Sequence, residues 1–80
     1  MLDSVHNYFE RLVFNHLKEH YLHQVSEDHL ADLACLALNQ LPPKYIRYDI
    51  DMSFFLNSEQ RLQIEQQVTQ ACATAYQKLT

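Results

Sequence analysis

Eighty residues with a net charge of −4 and only six lysines and arginines describe one small acidic domain, with no basic stripe for wrapping a nucleic-acid polymer. Glycine is absent, which excludes the phosphate-cradling loops of Walker and dinucleotide-binding folds. No apolar run approaches the ~20 residues that span a bilayer and no signal peptide opens the chain, so the sequence reads as cytoplasmic and free of membrane.

The first predicted element runs from Asp3 to Leu22. Leu2, Val5, Phe9, Leu12, Val13, Leu17 and Tyr21 recur at steps of three and four, the spacing of one helical face. Asp3 or Ser4 is placed to cap it. A second helix starts after Ser26, where Glu27 and Asp28 suit the positive end of the helix dipole. Its core face is Leu30, Leu33, Ala34, Ala37, Leu38 and Leu41, and it must stop near Leu41 because Pro42 disfavours helical geometry in the residue before it. Asn39 is positioned to bond the carbonyls freed at that end.

Beyond Pro43 the period changes from 3.6 to two. Ile46, Tyr48, Ile50 and Met52 alternate with Tyr45, Arg47, Asp49 and Asp51, which predicts a strand over residues 44–51. Phe54 and Phe55 follow in an apolar connector and are expected to plug the core. The last helix opens at Asn57 or Ser58, where Asn57 and Gln60 approximate a capping box, and carries Leu62, Ile64, Val68, Ala71, Cys72, Ala75 and Leu79 on its apolar side. The expected fold is therefore mainly α: three helices and one extended strand after the second.

A lone strand leaves its backbone donors and acceptors unpaired. The economical mate is the same segment of a second copy, antiparallel across a two-fold axis, so a homodimer with an intermolecular strand pair is expected. The alternative is an extended loop lying over a three-helix core. Dimerisation would also supply the stability that so short a chain lacks, since zinc-finger spacings are absent and the two cysteines, Cys35 and Cys72, read as buried free thiols in a reducing compartment.

The run from Asp32 through Ala37-Leu38-Asn39, Leu41-Pro42-Pro43 and Tyr45-Ile46 resembles the signature of the late competence development protein ComFB family, in which an Asp opens an alanine–leucine helix that ends in A-L-N-x-L-P-P-x-Y. The opening V-H-N-Y-F-E-R-L-V segment is similar to that family's first helix. The resemblance implies a single ComFB-like domain over 1–80, helical, dimeric, bacterial and not an enzyme. It also implies links to DNA uptake and, for some members, reception of cyclic dinucleotides such as cyclic di-GMP. Part of the family carries a cysteine-rich zinc site just before the Asp. The matching positions here fall near Gln24, Ser26 and His29, so that metal is not carried over.

Four residues stand out as candidate ligand contacts. Arg47, on the polar face of the strand, can fork onto a phosphate or a guanine edge, or pair across strands with Asp49 or Asp51. Lys44 can meet phosphate, Tyr45 can stack on a base, and Arg11, near His6 and Tyr8, offers a further cation. His16, His20 and His23 have helical spacings that suit a metal, but a surface cluster explains them better. No nucleophile–base arrangement or paired inward carboxylates are visible, so no catalytic residues and no cofactor are expected. The leading reading is a small non-enzymatic signalling or adaptor protein that binds a cyclic dinucleotide as a homodimer. The rivals are a ligand-free adaptor with an unknown protein partner in competence or pilus regulation, and a histidine-based metal binder.

Overall fold

In the computed structural model, which describes residues 1–80, the first helix starts at an asparagine cap rather than at Asp3. A 3₁₀ turn, Leu2–Ser4, leads into a two-residue strand β1 (His6–Asn7), and helix α1 (Tyr8–His20) follows at once. The Asn7 side chain accepts the Phe9 N–H at 3.2 Å, and the Glu10 carboxylate reaches back to the Asn7 N–H at 3.3 Å. This reciprocal box satisfies N–H groups that have no partner inside the helix. Asp3 and Ser4, the caps suggested by the apolar stripe, belong instead to the 3₁₀ turn.

Helix α2 (Glu27–Leu38) is capped as expected, with the Ser26 Oγ accepting from the His29 N–H at 3.2 Å. It ends at Leu38, ahead of Leu41. The backbone there tightens to three-residue steps, Gln40 to Ala37 and Leu41 to Leu38, before Pro42 stops it. The Gln40 side chain, not that of Asn39, takes up a free carbonyl, donating to Leu36 at 3.1 Å. The last helix, α4 (Ser58–Leu79), opens with the Asn57–Gln60 capping box that its sequence suggests.

The segment between the prolines and α4 departs most from expectation. Only Tyr45–Ile46 is strand (β2), and its mate is β1 of the same chain, antiparallel, with His6 opposite Ile46 and Asn7 opposite Tyr45. The predicted strand over 44–51 is therefore short, and its observed pairing is within one molecule rather than between two. The reason is the length of the mate. β1 is bounded by the 3₁₀ turn on one side and by the Asn7 cap on the other, so nothing remains for residues beyond Ile46 to pair with. Those residues turn into a fourth helix, α3 (Asp49–Phe55), with Asp49 and Asp51 in its first turn, where a carboxylate suits the dipole. Met52 is its one buried residue. The alternation of Ile46, Tyr48, Ile50 and Met52 is real but spans two kinds of structure.

Three helices make the core: Phe9, Val13 and Leu17 from α1, Leu33, Ala34 and Ala37 from α2, and Val68, Ala71, Cys72 and Ala75 from α4, with Leu41 closing one end. The alanines on α2 and α4 allow those two helices their close and extensive approach. Cys72 is fully buried, and desolvation pushes its thiol up to about 11. Cys35, expected inside, is exposed on the far side of α2, and both cysteines are free. Phe54 and Phe55 do not plug the core. They are 78 and 77 % exposed, because α3 turns only Met52 fully inward. No helix is long and apolar enough to cross a membrane.

Two substitutions test this account. Leu33→Ala, at a site with no exposure, should lower unfolding free energy by about 2–5 kcal/mol in urea titration. Asn7→Ala should cost about 1–3 kcal/mol, from the lost cap and the buried donors left unpaired. Asn7→Asp, which keeps an accepting oxygen, should recover most of it.

Candidate functional site: the corner joining the first helix to the proline turn

The buried Asn7 does more than cap α1. The same Oδ1 accepts the Lys44 N–H at 3.1 Å, and the Tyr8 N–H donates to the Lys44 carbonyl at 2.6 Å. The main chain at Lys44 is thus pinned on both sides to the start of α1, while its side chain stays exposed. Tyr45, 68 % exposed, and Arg47 follow on the same outward segment. The Arg47 guanidinium lies over the Tyr48 ring, 5.1 Å from its centroid, a cation–π arrangement. Neither Lys44 nor Arg47 has a carboxylate in ion-pair range. The cross-strand pairing of Arg47 with Asp49 or Asp51 is therefore not formed within the chain.

Asp49 is engaged elsewhere. Its Oδ1 lies 2.9 Å from the His6 Nε2 and its Oδ2 accepts from the Arg11 Nη1 at 3.3 Å. Arg11, read from the sequence as a free cation, shares its charge with this carboxylate. Lys44, Tyr45 and Arg47 stand together on one stretch; Arg11 reaches across to α3 instead. None of the four lines a cavity. One groove, about 560 Å³, runs between α1 and α4 and is lined by Tyr8, Leu12, His16, Arg61 and Glu65 among others. Arg61 was not singled out by its sequence context; only its place at the start of α4 brings it beside α3, where its Nη2 donates to the Ser53 carbonyl at 2.8 Å.

The histidines divide. His16 and His20 are neighbours on α1 with rings 4.4 Å apart, and His23 lies beyond the helix end. Desolvation, then the neighbouring His20 charge, holds His16 below its ordinary value. No three His, Cys, Asp or Glu side chains converge in a way that could hold a metal ion.

His6 links the corner together. Its Nδ1 lies 2.8 Å from the Ser4 carbonyl while its Nε2 faces Asp49. Both partners only accept, so both bonds form only when the ring is protonated on both nitrogens. The Asp49 hydrogen bond, then the Ser4 carbonyl, with the charges of Asp49 and Glu10 adding to them, raise His6 above its ordinary 6.5. The His6 bond, then that from Arg11, lowers Asp49 below its ordinary 3.8. The His6 contribution is complete below pH 6.5 and is lost as pH rises through the higher folded value. That of Asp49 is present above pH 3.8 and is lost as pH falls through the lower folded value. The link between β1 and α3 is strongest between those limits. An NMR titration should give His6 a midpoint above 6.5, and Asp49→Asn should bring it down. An unchanged midpoint in that variant would refute the link.

Comparison with known protein families gives a match to the family described as Late competence development protein ComFB, over residues 6–80. Comparison with curated proteins and with solved structures gives no match. The matched span opens on His6, the first residue of β1, and covers the cap, the proline turn and all four helices. It contains the run from Asp32 to Ile46 whose spacing first suggested this relationship, and the structure shows that run carrying α2 into the turn pinned by Asn7. The chain belongs to the late competence development protein ComFB family.

Proposed function

We propose that this ComFB-family chain is a non-enzymatic cytoplasmic signalling module that, as a homodimer, binds a cyclic dinucleotide, cyclic di-GMP, through Lys44, Tyr45 and Arg47. The observation that carries this reading is the Arg47 guanidinium, held over Tyr48 with no carboxylate to neutralise it. A chain with net charge −4 repels anions on average, so two uncompensated cations beside two exposed tyrosines are a local exception. Phosphates find Lys44 and Arg47 there, and bases find the tyrosine faces and the planar guanidinium. The pinned Lys44 main chain lowers the ordering cost of binding. Arg11 adds a cation whose charge is shared with Asp49. A two-fold dimer would offer two such segments to a ligand that is itself two-fold symmetric.

A second reading, a ligand-free adaptor in DNA uptake or pilus regulation, is favoured by a different observation: Ile50, Phe54 and Phe55 are exposed together on α3. Calorimetric titration separates the two. Cyclic di-GMP should release heat with the wild-type protein, and Arg47→Ala should weaken binding at least tenfold, about 1.4 kcal/mol or more, with unchanged circular dichroism. Absence of heat with cyclic di-GMP and cyclic di-AMP at high micromolar ligand would overturn the receptor reading and leave the adaptor.

A further inference from the structure

His16 and His20 stand one turn apart on α1, and the function proposed above uses neither. By spacing alone His23 could join them, but α1 ends at His20, so His23 lies beyond the helix and only the pair keeps its register. The two ring centroids are 4.4 Å apart. Two imidazoles that ligate one ion at about 2.0–2.1 Å, with an angle of roughly 90–109° between them, have centroids roughly 4.5–5.2 Å apart. The pair is therefore a small side-chain rotation away from a chelate. The turn that carries it is well fastened. Leu17, next to His16, is buried in the core, the Tyr21 N–H donates to the Leu17 carbonyl at 2.8 Å, and the Gln24 side chain donates to the His20 carbonyl at 2.9 Å.

The surroundings favour a cation. Both rings line the groove between α1 and α4, together with Glu19 from the same turn and Glu65 from α4. The Glu19 Oε2 lies 3.8 Å from the His20 Nε2, and Glu65 has no cation in ion-pair range. Arg61, the one lysine or arginine lining the groove, donates to the Ser53 carbonyl at the α3 end. We propose that His16 and His20 chelate a divalent transition-metal ion of the zinc and copper class, in an open two-point site that water completes. The run His16-Leu17-Lys18-Glu19-His20 has the order H-x-x-E-H, which helical zinc sites use. Those sites take a third protein ligand, and no third side chain converges here. The ion is therefore exchangeable, and the inference is of binding and not of hydrolysis. Imidazole suits zinc, copper and nickel, whereas magnesium and calcium take oxygen ligands, so the donor set selects the metal. The site shares no residue with the segment from Lys44 to Arg47 and does not depend on the ligand proposed for it.

Calorimetric titration of zinc chloride into the tag-free chain should show one site per chain, and magnesium chloride should give no heat. His16→Gln and His20→Gln should each weaken zinc at least about tenfold, since losing even an outer hydrogen-bond partner of a ligand costs that much. His23→Gln and His29→Gln should leave the affinity as it is. By NMR, zinc should move the imidazole signals of His16 and His20 together. No zinc binding at several hundred micromolar overturns the proposal, and so does equal affinity for magnesium, which marks a carboxylate site. Unchanged affinity in His20→Gln, at an exposed position, puts the ion elsewhere, on the exposed Cys35 for example, and overturns it too. Equal losses in all four variants mark nonspecific binding to surface histidines, which also overturns it. Should His16→Gln fail to fold, His20→Gln and the NMR shifts still decide.

Discussion

One asparagine oxygen organises this small fold. Asn7 Oδ1 serves the start of α1 and the backbone beyond the prolines at once, accepting from Phe9 and from Lys44. Because it is buried, water cannot readily substitute for either bond, and the geometry of each constrains the other. The consequence is local and strict. β1 can be only two residues long, β2 can be no longer than its mate, and the chain after Ile46 must find some other way to satisfy its backbone. It does so as α3, a helix of seven residues with one buried side chain. An 80-residue chain buries only 13 residues, so polar contacts of this kind decide where its connections run.

The second constraint is electrostatic and lies on the same corner. Asp49 closes α3 onto His6 and Arg11, tying that helix to the first strand and the first helix. With that carboxylate occupied by two partners, Arg47 is left to stack on Tyr48, and the exposed run from Lys44 to Tyr48 carries positive charge in an otherwise acidic protein. The pinned backbone beneath the exposed side chains suits ligand recognition. The same economy leaves α3 with most of its apolar surface outward, which suits contact with another chain.

Much of this was legible in the sequence, and the failures have specific causes. The three core helices follow from their apolar stripes, and the Ser26 and Asn57 caps were readable as such. The first cap was misplaced although Asn7 and Glu10 form an N-x-x-E box in plain view, because the apolar residues Leu2 and Val5 continue the helical stripe past the true start. The strand was overextended because Ile46 to Met52 alternate so regularly; nothing local reveals that its mate has room for only two residues. The mate was invisible for the same reason, since two residues ahead of a helix leave no periodic signal. Phe54 and Phe55 were placed inside by hydrophobicity alone, which says what a residue prefers but not whether a seven-residue helix can turn every apolar side chain inward. At the candidate site, Lys44, Tyr45 and Arg47 share an outward segment as read. The commitment of Arg11 to Asp49 depends on a contact between residues far apart in sequence, and no spacing rule could supply it.

The two cysteines lie in opposite environments: Cys35 open on the outer side of α2, Cys72 sealed between helices with its thiol held protonated far above neutral pH. A maleimide or a nitroxide reagent therefore has one point of attachment on the folded molecule without any engineering. A probe placed there reports on the end of α2 as the chain enters the proline turn, while modification of the second thiol marks the moment the helical core opens.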